Sequence, residues 1–518
     1  MLRNFILIAF RNLRRHVSYS VINISGLSIG IACSMLILLW VQNETSFDKF
    51  IPKSEKLFQL WSSADFDGNI SSARSVPHPL KDELKTVHSG IVNSVIAGWG
   101  ANRLLGVGDI GVMKEGYYVS EEFLEMFEFP LIRGNANEVL DDPSSIVISE
   151  SLAKSLFKNE DPMGQMVRVN DQSTFQVTGV IMDVPSNSSF EFDYLIPWAH
   201  RISVDQWLAT NKDSWFNNSF QVFVELSSKN KEAEVNAGIK NILTDKGADD
   251  VPRWLFLHPM EDWRLHSNFE NGVASGGMGD YVKMFSIIAL FILVIACINF
   301  MNLSTARSER RAKEVGVRKS LGSKRSQLIL QFFGESILIS LISFVVAILL
   351  ILVALPSYND LVGKQLFIDF SSSQFWVFSG LIIFATGILS GSYPSLYLSS
   401  FSPIKTLKGA VSLGKSGNTP RKVLVVLQFG FAILLIVSTV VIFKQIEMAQ
   451  ERDLGYDQEN LITIGMSNGI SDNFEIINQE LKRSGAVLAM TRSNSSITSI
   501  NSTSFLDWPG KPKSQRVP

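Results

Sequence analysis

The chain has 518 residues, of which 46% are hydrophobic and 19% are charged, and its mean hydropathy of +0.17 is high for a water-soluble protein. Its length allows several domains of about 150 residues each. The net charge of −2 is uninformative by itself because the charges are sorted by region, and we expect no nucleic-acid partner. Both cysteines, Cys33 and Cys297, lie inside apolar stretches, which excludes a disulfide framework and a CxxC metal or redox site.

Five apolar segments organise the chain, and each is long enough to cross a hydrocarbon core about 30 Å thick. They predict membrane-spanning helices at residues 21–41, 284–303, 331–355, 375–398 and 423–443. Apolar and basic positions in residues 1–20 follow helical spacing, which predicts an amphipathic helix on the cytoplasmic face of the membrane. A cleaved signal peptide is the competing interpretation, but the first apolar segment is too long for one and no A-x-A site follows it. We therefore expect a permanent anchor.

Charge is distributed unequally among the segments that connect these helices. Residues 42–283 contain 35 Asp and Glu against 21 Lys and Arg. Residues 1–20, 304–334 and 398–422 together contain 17 Lys and Arg against 2 acidic residues. Because basic loops stay in the cytoplasm, this asymmetry predicts a cytoplasmic N-terminus and an external insert. The predicted fold class is an α-helical integral membrane protein with a large mixed α/β extracytoplasmic domain.

The insert at 42–283 carries both strand and helix signals and is long enough to bury its own core, as one unit or as two subdomains. Strands are predicted at Lys56–Trp61, Ser145–Ile148 and, as a hairpin, Val167–Val169 with Thr174–Val184. Helices are predicted at 121–127 with Ser120 as N-cap, at 150–157 with Ser149 as N-cap, and on the surface at 231–246.

A basic loop at residues 304–327 joins the second and third apolar segments. Arg310, Glu314 and Arg318 are spaced four residues apart, so ion pairs on one face would stiffen a helix there by a few tenths of a kcal/mol each. A short, rigid, cationic element suits the docking of a cytoplasmic partner. Its charge alone is explained equally well by a loop that only fixes membrane orientation.

The end of this basic loop carries turn signals. Gly316 is expected to interrupt the helix, and Leu321-Gly322-Ser323 is expected to form a turn with Ser323 as N-cap of the next helix. Further along, the loop at 399–422 is predicted to be cytoplasmic because it contains five basic residues and no acidic one.

Small and polar residues inside the apolar segments predict helix contacts. Gly26 with Gly30 and Gly387 with Gly391 form GxxxG pairs, which let a second helix approach closely. Asn299 and Asn302 lie one turn apart, and we favour hydrogen bonds between helices over a substrate path for them. Glu335 is expected to lie at headgroup depth near the start of the third segment, and Pro394 to kink or end the fourth helix.

Sequence signatures of catalysis or cofactor binding are weak. Gly409–Ser416 reads GAVSLGKS and matches the phosphate-binding pattern G-x-x-x-x-G-K-[ST]. That mechanism needs a preceding buried strand and a following helix in an α/β domain, whereas this match lies in a short loop between two membrane segments. We interpret it as a chance match and expect no bound cofactor. The six histidines show no metal-ligand spacing and no G-x-S-x-G elbow is present, so we predict no metal site and no catalytic residue.

Several segments together resemble one family. Ile295–Ser336, IACINFMNLSTARSERRAKEVGVRKSLGSKRSQLILQFFGES, closely resembles the first cytoplasmic loop region of the FtsX-like permeases related to the macrolide exporter MacB. Within the insert, VSEEFLEMFEFPLIRG, SIVISESLAKSLFKNEDPMGQMV and VTGVIMDVPSNSSF resemble the MacB-type periplasmic core domain, and GILSGSYPSLYLSSFSPIKTLKG resembles the fourth helix and its exit. The chain is also similar to the long permeases of Bacteroidetes-like bacteria, in which a four-helix unit with its periplasmic domain occurs twice. On that pattern 423–443 and 444–518, with a strand at 460–464 and a helix at 473–484, begin a second half that is incomplete.

The resemblance implies a non-enzymatic permease subunit of an ABC transporter in the inner membrane, with ATP bound and hydrolysed by a separate cytoplasmic ATPase. Mechanotransmission would couple that hydrolysis to movement of the periplasmic domain for efflux or other envelope work. The resemblance also implies a homodimer or pseudo-dimer of two FtsX-like halves, with a periplasmic or outer-membrane partner as a further option. The implied ATPase-coupling surface consists of Arg310, Arg311, Glu314, Val315, Gly316, Val317, Arg318 and Lys319.

Two other functional classes are weaker interpretations. A receptor for a periplasmic ligand would suit one large insert after the first span, but no kinase, cyclase or coiled-coil signalling segment accompanies it. A membrane-anchored periplasmic enzyme would need a catalytic constellation, and none is recognisable. The cargo is not specified by any of these features.

Overall fold

The computed structural model describes residues 17–170, 172–247, 251–306, 308–400, 419–453, 455–456, 460–466, 468–493, 495 and 508–510. The predicted amphipathic helix falls mostly outside the described residues, as do positions 401–418 with the Gly409–Ser416 match. The chain divides into a first unit, residues 1–438, and a second unit, residues 439–518, which we describe separately.

The first unit begins with the long helix α1, and a mixed α/β domain follows it. The helices up to the end of this domain are α1 (Val17–Thr45), α2 (Leu80–Val87), α3 (Phe123–Phe127), α4 (Glu150–Phe157), α5 (Trp198–Val204), α6 (Gln206–Asn211), α7 (Glu232–Ile239) and α8 (Ile242–Asp245). The strands are β1 (Leu57–Phe66), β2 (Asn69–Ala73), β3 (Val76–Pro77), β4 (Ile91–Ala97), β5 (Ala101–Val107), β6 (Ile110–Val119), β7 (Leu131–Arg133), β8 (Ser145–Ser149), β9 (Met166–Val169), β10 (Ser173–Ile181), β11 (Tyr194–Pro197), β12 (Asn218–Leu226), β13 (Arg253–Pro259), β14 (Phe269–Glu270) and β15 (Val273–Ala274).

Strands β1 to β13 form one sheet with two regions. In the first region the order β6-β5-β9-β10-β8-β11 closes on itself, because β11 pairs antiparallel with β8 and parallel with β6. In the second region the sheet continues from β6 through β4, β12 and β1 to β13, and these neighbours pair antiparallel. A closed ring has no free edge strand, which protects that region from edge-to-edge association.

The domain core follows these two regions. Phe175 and Tyr194 are fully buried inside the closed ring, and Phe220 and Val222 are fully buried between the second region and its helices. A third cluster, rich in phenylalanine, lies where the regions meet, and Phe123 contributes to it with 0% exposure. Because each fully buried side chain of this size contributes about 1.5–3 kcal/mol, these clusters stabilise the domain from within.

Most local predictions for the insert are confirmed. β1, β8 and the β9–β10 hairpin occupy the predicted strands, and Ser149 caps α4 by accepting a hydrogen bond from the Leu152 N–H at 3.3 Å. The prediction that Ser120 caps a helix at 121–127 is wrong, because α3 begins at Phe123 and the Ser120 hydroxyl accepts a hydrogen bond from the Ile96 N–H. The predicted helix at 231–246 is broken into α7 and α8 around Asn241, a weak helix former.

The remaining helices of the first unit are α9 (Met278–Ala306), α10 (Ser308–Ser320), α11 (Arg325–Val362), α12 (Ser373–Ser399) and α13 (Thr419–Gln450), the last of which runs across the boundary with the second unit. Together with α1, all of these except α10 are long and apolar enough to cross a membrane, which confirms the five predicted spans. The third predicted span ends at residue 355, which is too early, since α11 continues through Pro356 to Val362. A proline is tolerated in a membrane helix when other groups satisfy the freed carbonyl. α12 also continues beyond Pro394 to Ser399, so this proline does not end the fourth helix.

The second unit contains α14 (Asn468–Asp472) and α15 (Phe474–Arg483), and the latter confirms the predicted helix at 473–484. The predicted strand at 460–464 is wrong. A strand needs a hydrogen-bonded neighbour, and within the described part of the chain none pairs with this segment.

Candidate functional site

The predicted coupling loop forms the short helix α10 between α9 and α11. The expectation that Gly316 interrupts it is wrong: α10 is continuous from Ser308 to Ser320, and the Ser320 hydroxyl donates to the Gly316 carbonyl at 3.1 Å. Gly316 is buried, and the helix continues through it in spite of the roughly 1 kcal/mol cost of glycine in a helix interior.

The inner face of α10 packs on the neighbouring membrane helices. Val315 is 1% exposed and forms a small apolar cluster with Leu328 and Phe332 of α11 and Leu398 of α12. Burial of one valine and its neighbours on this scale contributes a few kcal/mol. The cluster fixes α10 against two membrane helices at once.

Basic side chains of α10 add polar attachments to the same helices. The Lys319 ammonium donates to the Ser399 carbonyl at the end of α12 at 2.7 Å. The Arg318 guanidinium donates to Gln331 Oε1 at 3.1 Å, and the Gln331 amide donates to Glu335 Oε1 at 3.2 Å. Glu335 is 8% exposed. These bonds connect α10 to the start of α11 and the end of α12.

A different set of side chains points away from the bundle. Glu314 is exposed, Val317 is 46% exposed, and Leu321, directly after α10, is 81% exposed. Their spacing of three and four residues places them along one side of the helix. We call Glu314, Val317 and Leu321 the outer face of α10. Two apolar side chains are thus exposed beside one carboxylate on this side of α10.

The structure therefore divides the predicted coupling residues into two groups. Val315, Gly316, Arg318 and Lys319 face the bundle, whereas Glu314 and Val317 face outward. The side chains of Arg310 and Arg311 lie outside the described residues, and so does the predicted ion pair between Arg310 and Glu314. Arg318 donates to Gln331 rather than forming the predicted pair with Glu314. Sequence reasoning missed Leu321, which it assigned only to a turn.

The turn after α10 is confirmed at Leu321 and Gly322, whose φ of +94° is a conformation that favours glycine. The prediction that Ser323 caps α11 is wrong. Lys324 occupies the N-cap position, and its N–H donates to the side-chain oxygen of Gln327 at 3.1 Å. The side chain of a glutamine at the third helical position accepts a hydrogen bond from the N-cap N–H, just as a serine cap accepts one from a backbone N–H in the first turn.

A second site joins the α/β domain to the membrane helices, and sequence reasoning missed it. The Glu44 carboxylate at the end of α1 has 1% side-chain exposure and accepts hydrogen bonds from Arg264 Nε at 2.5 Å and Lys364 Nζ at 3.1 Å. The Phe47 ring contacts the same two cations, with its centre 4.4 Å from the Arg264 guanidinium carbon and 4.8 Å from Lys364 Nζ. We call these four residues the junction cluster. The only sequence signal was a lone carboxylate at the end of an apolar segment.

The junction cluster connects three separate parts of the chain. Glu44 belongs to α1, Arg264 follows β13 and precedes α9, and Lys364 follows α11. A buried carboxylate shared by two cations is stable only when all three groups stay in place, because removal of a partner leaves a desolvated charge. The cluster therefore holds the α/β domain and the ends of α1 and α11 in one arrangement.

The segment after Glu44 is also bound to the domain. The Asp48 carboxylate accepts hydrogen bonds from the Ser189 N–H at 2.7 Å and from the Ser189 hydroxyl at 2.5 Å. Asn187 donates to the Ser46 carbonyl at 3.0 Å. Burial raises the pKa of Asp48 above its usual value, although the bonds from Ser189 oppose this. The exit of α1 is thus part of the domain rather than a free linker.

The glycine pairs lie at helix contacts. A Cβ at Gly30 would overlap the Cβ of Ala296 on α9, and one at Gly26 would be 3.2 Å from Asn299 Nδ2. On α12, a Cβ at Gly387 would lie 2.7 Å from the Ile337 side chain, and one at Gly391 would lie 2.7 Å from Ser336 Oγ on α11. These approaches place α1 against α9 and α11 against α12 with almost no intervening side chain.

An amide pair links α9 with α13. Asn302 Nδ2 donates to Gln428 Oε1 at 3.0 Å, which favours the packing interpretation of this asparagine over a substrate path. In the part of the chain that the structure describes, no group of three or more His, Cys, Asp or Glu side chains could hold a metal ion. The expectation of no bound cofactor stays a prediction.

Two family models match the chain. The MacB-like periplasmic core domain matches residues 20–242, and the FtsX-like permease C-terminal domain matches residues 286–403. The first match covers α1 and most of the α/β domain, and the second covers α9 to α12 with α10 inside it.

Similar proteins carry related names. A macrolide export ATP-binding/permease protein MacB of Neisseria meningitidis serogroup B is 25% identical over 236 residues, which are 45% of this chain and 34% of that protein. An uncharacterized ABC transporter permease YknZ of Bacillus subtilis is 26% identical over 277 residues, 51% of this chain and 61% of that protein. The matched region thus spans between about a third and three fifths of the length of these relatives.

Solved structures of extracytoplasmic domains are also similar. The extracellular domain of the ABC-type transporter YknZ from Gram-positive bacteria matches 39% of this chain and 99% of that one, with 13% identity and a TM-score of 0.30. The periplasmic region of MacB from Actinobacillus actinomycetemcomitans matches 40% of this chain and 89% of that one, with 17% identity and a TM-score of 0.29.

The family models locate both parts of the architecture, an α/β domain of the periplasmic core type inserted after the first membrane helix and an FtsX-like helical region after it. The predicted family is thereby confirmed. The chain belongs to the MacB-like and FtsX-like family of ABC transporter permeases, as a membrane protein with a domain of the periplasmic core type.

Proposed function

We propose that the chain is a permease subunit of the mechanotransmission type, in which a separate cytoplasmic ATPase binds the outer face of α10. The observation that carries the proposal is the two-sided character of this helix. Val315, Arg318 and Lys319 fasten it to α11 and α12, whereas Val317 and Leu321 expose apolar surface beside Glu314. A helix with this division transfers the movement of a bound partner to the helices behind it.

The route from α10 to the α/β domain passes through packed helices. α11 and α12 approach closely at Gly387, and α1 and α9 approach closely at Gly30. The junction cluster then joins the far ends of α1 and α11 to the domain through Glu44. Because packed helices and paired buried charges resist small deformations, movement at one end reaches the other. The movement of the α/β domain would drive efflux or another process in the cell envelope.

The remaining parts of the proposal follow from the family and the charge distribution. α10 and the N-terminus lie in the cytoplasm, the α/β domain lies in the periplasm, and the membrane is the inner membrane. The chain itself binds no ATP and catalyses no reaction. Two FtsX-like halves, from two copies or one longer chain, complete the transmembrane unit, with a periplasmic or outer-membrane protein as a further partner.

Binding to the ATPase can be tested with one pair of matched variants. Leu321→Asp changes the outer face of α10, and Leu361→Asp changes a leucine at the other end of α11 that is equally exposed, at 81%. We expect wild-type chain and Leu361→Asp to co-purify with an ATP-hydrolysing subunit from the native membrane, and Leu321→Asp to lose it. Equal recovery of that subunit with both variants would contradict the assignment of the docking surface.

Membrane orientation can be tested with single cysteines in a background that lacks Cys33 and Cys297. A cysteine at Ser320, which is exposed beside the outer face, should react with an impermeant maleimide only from the cytoplasmic side. A cysteine at Asp161, whose side chain is 57% exposed, should react only from the periplasmic side. Reaction of both from the same side would refute the proposed topology.

A further inference from the structure

The α/β domain contains a cavity of about 430 Å³ next to the junction cluster. Much of its lining is aromatic: Trp61, Phe190 and Phe223 are each less than 8% exposed, and the rings of Tyr117 and Trp263 are partly buried beside them. Cavities of roughly 300–1,000 Å³ with aromatic linings and a few polar groups are the usual form of small-molecule sites.

Hydrogen bonds hold the lining in one arrangement. Gln59 Nε2 donates to Gln221 Oε1 at 3.0 Å, and Gln221 Nε2 donates to the Gly98 carbonyl at 3.0 Å. The Trp61 indole N–H donates to Gln59 Oε1 at 3.2 Å. Because these interior amides already satisfy each other, they shape the cavity rather than wait for a polar ligand. The interior therefore favours an apolar or aromatic group.

The opening of the cavity carries one side chain of each charge. The Arg74 guanidinium lies over the Trp99 ring, 5.0 Å from its centre, and Glu191 is exposed at the same cavity. Among the described residues, neither forms an ion pair with an opposite charge, whereas Arg264, the other cation of the lining, is paired with Glu44. An unpaired cation and an unpaired anion are thus available at one aromatic cavity.

Both charges act on the same buried phenol, which places them at one site. The pKa of Tyr117 is raised to about 12, mainly by burial and also by the negative charges of Glu115 and Glu191, while the positive charge of Arg74 opposes the rise. The Tyr117 hydroxyl stays protonated across the physiological range and can donate a hydrogen bond.

We propose that this cavity binds a small aromatic zwitterion, of the kind represented by a short peptide with aromatic side chains and both termini free. Its rings occupy the aromatic interior, its carboxylate meets Arg74, and its ammonium group meets Glu191. Arginine suits carboxylates because of its planar donors, and the Trp99 ring beneath Arg74 holds that guanidinium at the opening. This binding site goes beyond the proposed function, since it requires neither the ATPase nor transport.

Three dipeptides separate the contributions of the two charges. Phe-Phe has both charged termini, N-acetyl-Phe-Phe keeps only the carboxylate, and Phe-Phe amide keeps only the ammonium group. Binding to the full chain in lipid nanodiscs is measured by isothermal titration calorimetry at pH 7. Since a charge-assisted hydrogen bond contributes roughly tenfold or more in affinity, we expect Phe-Phe to bind at least about tenfold more tightly than either capped form.

Variants assign each terminus to its partner. Arg74→Ala should remove the preference for Phe-Phe over its amide and leave the preference over the acetylated form. Glu191→Gln should do the reverse. Arg133→Ala and Glu138→Gln, which change exposed charges outside the cavity, should bind all three peptides as the wild type does.

Three kinds of result would overturn the proposed binding site or one of its parts. Absence of saturable Phe-Phe binding by wild-type chain that shows normal thermal unfolding overturns the site. Equal binding of all three peptides, or a preference for one capped form over Phe-Phe, overturns the zwitterion assignment. Equal effects of Arg74→Ala and Arg133→Ala overturn the role of the cavity opening.

Discussion

The junction cluster supports a prediction about non-additive substitutions. In a chain with both Arg264→Met and Lys364→Met, the Glu44 carboxylate keeps its 1% exposure but loses both cations. Breaking a buried ion pair by removing partners costs about 3–5 kcal/mol because the remaining charge is desolvated. Adding Glu44→Gln removes that charge while almost preserving the shape of the side chain. The triple variant should therefore be more stable than the double variant.

The magnitude follows from the exposure of the partners. The side chains of Arg264 and Lys364 are 31% and 17% exposed, so solvent already screens part of the interaction and we expect a rescue of about 2 kcal/mol rather than the full buried-pair value. For a cooperative unit of 150–250 residues this corresponds to an increase in Tm of about 4–8 °C. The loss of the two cation–ring contacts with Phe47 is common to both variants and cancels.

The assay is thermal unfolding of the purified chain in one detergent, followed by tryptophan fluorescence at a fixed heating rate because membrane proteins often unfold irreversibly. Glu44→Gln alone provides the control, and it should lower the Tm of the wild type, where the carboxylate has its partners. If Glu44→Gln lowers the Tm in both backgrounds by the same amount, the carboxylate does not depend on these two cations and the reasoning is refuted.

Three further predictions use the same unfolding assay. Gly30→Ala should lower the free energy of unfolding by about 1–3 kcal/mol because the added methyl overlaps the facing helix. Gly334→Ala, at a position that faces open space, should be neutral or stabilising by up to about 1 kcal/mol. Equal effects of the two substitutions would contradict the close contact at Gly30. Burial lowers the pKa of His258 from 6.5 to about 4, so the unfolded state binds the proton first, and stability present above pH 6.5 should be lost as the pH falls towards 4. His258→Gln should flatten that part of the Tm curve, and an unchanged slope would exclude this histidine as the cause. Asn302→Leu and Gln428→Leu should each cost about 0.6–2 kcal/mol, and the double variant no more than the larger single loss; full additivity would show that the amides do not stabilise one another.

Some features could be predicted because each depends on a short stretch of chain. The five membrane helices follow from the length and apolarity of single segments, and the β9–β10 hairpin follows from alternation around one turn. Ser149 was recognisable as a cap because the N–H that it accepts belongs to Leu152, three residues away. Ser120 shows the limit of this reasoning, since its hydroxyl accepts from Ile96 on a neighbouring strand rather than from the nearest helix.

The basic loop illustrates how far a local pattern predicts a site. Composition indicated a helical, cationic element between two membrane helices, and α10 has that form. Periodicity alone could not tell which side of α10 is covered, because this depends on Leu328, Phe332 and Leu398 from helices that are close only in the folded chain. The expected Glu314–Arg318 pair was wrong for the same reason, since Gln331 offers Arg318 a partner in another helix.

By itself the sequence determined the family, the five membrane segments and the presence of both helices and strands in the large domain. Each of these depends on a property of the linear chain: the length of an apolar segment, the distribution of charge, or a segment that resembles the family. Only the tertiary structure decided which of the predicted coupling residues face outward, that Glu44 meets Arg264 and Lys364, and that an aromatic cavity opens between Arg74 and Glu191. The physical reason is distance along the chain: these groups are separated by tens to hundreds of residues, and no local preference encodes the close packing and desolvation that bring them together.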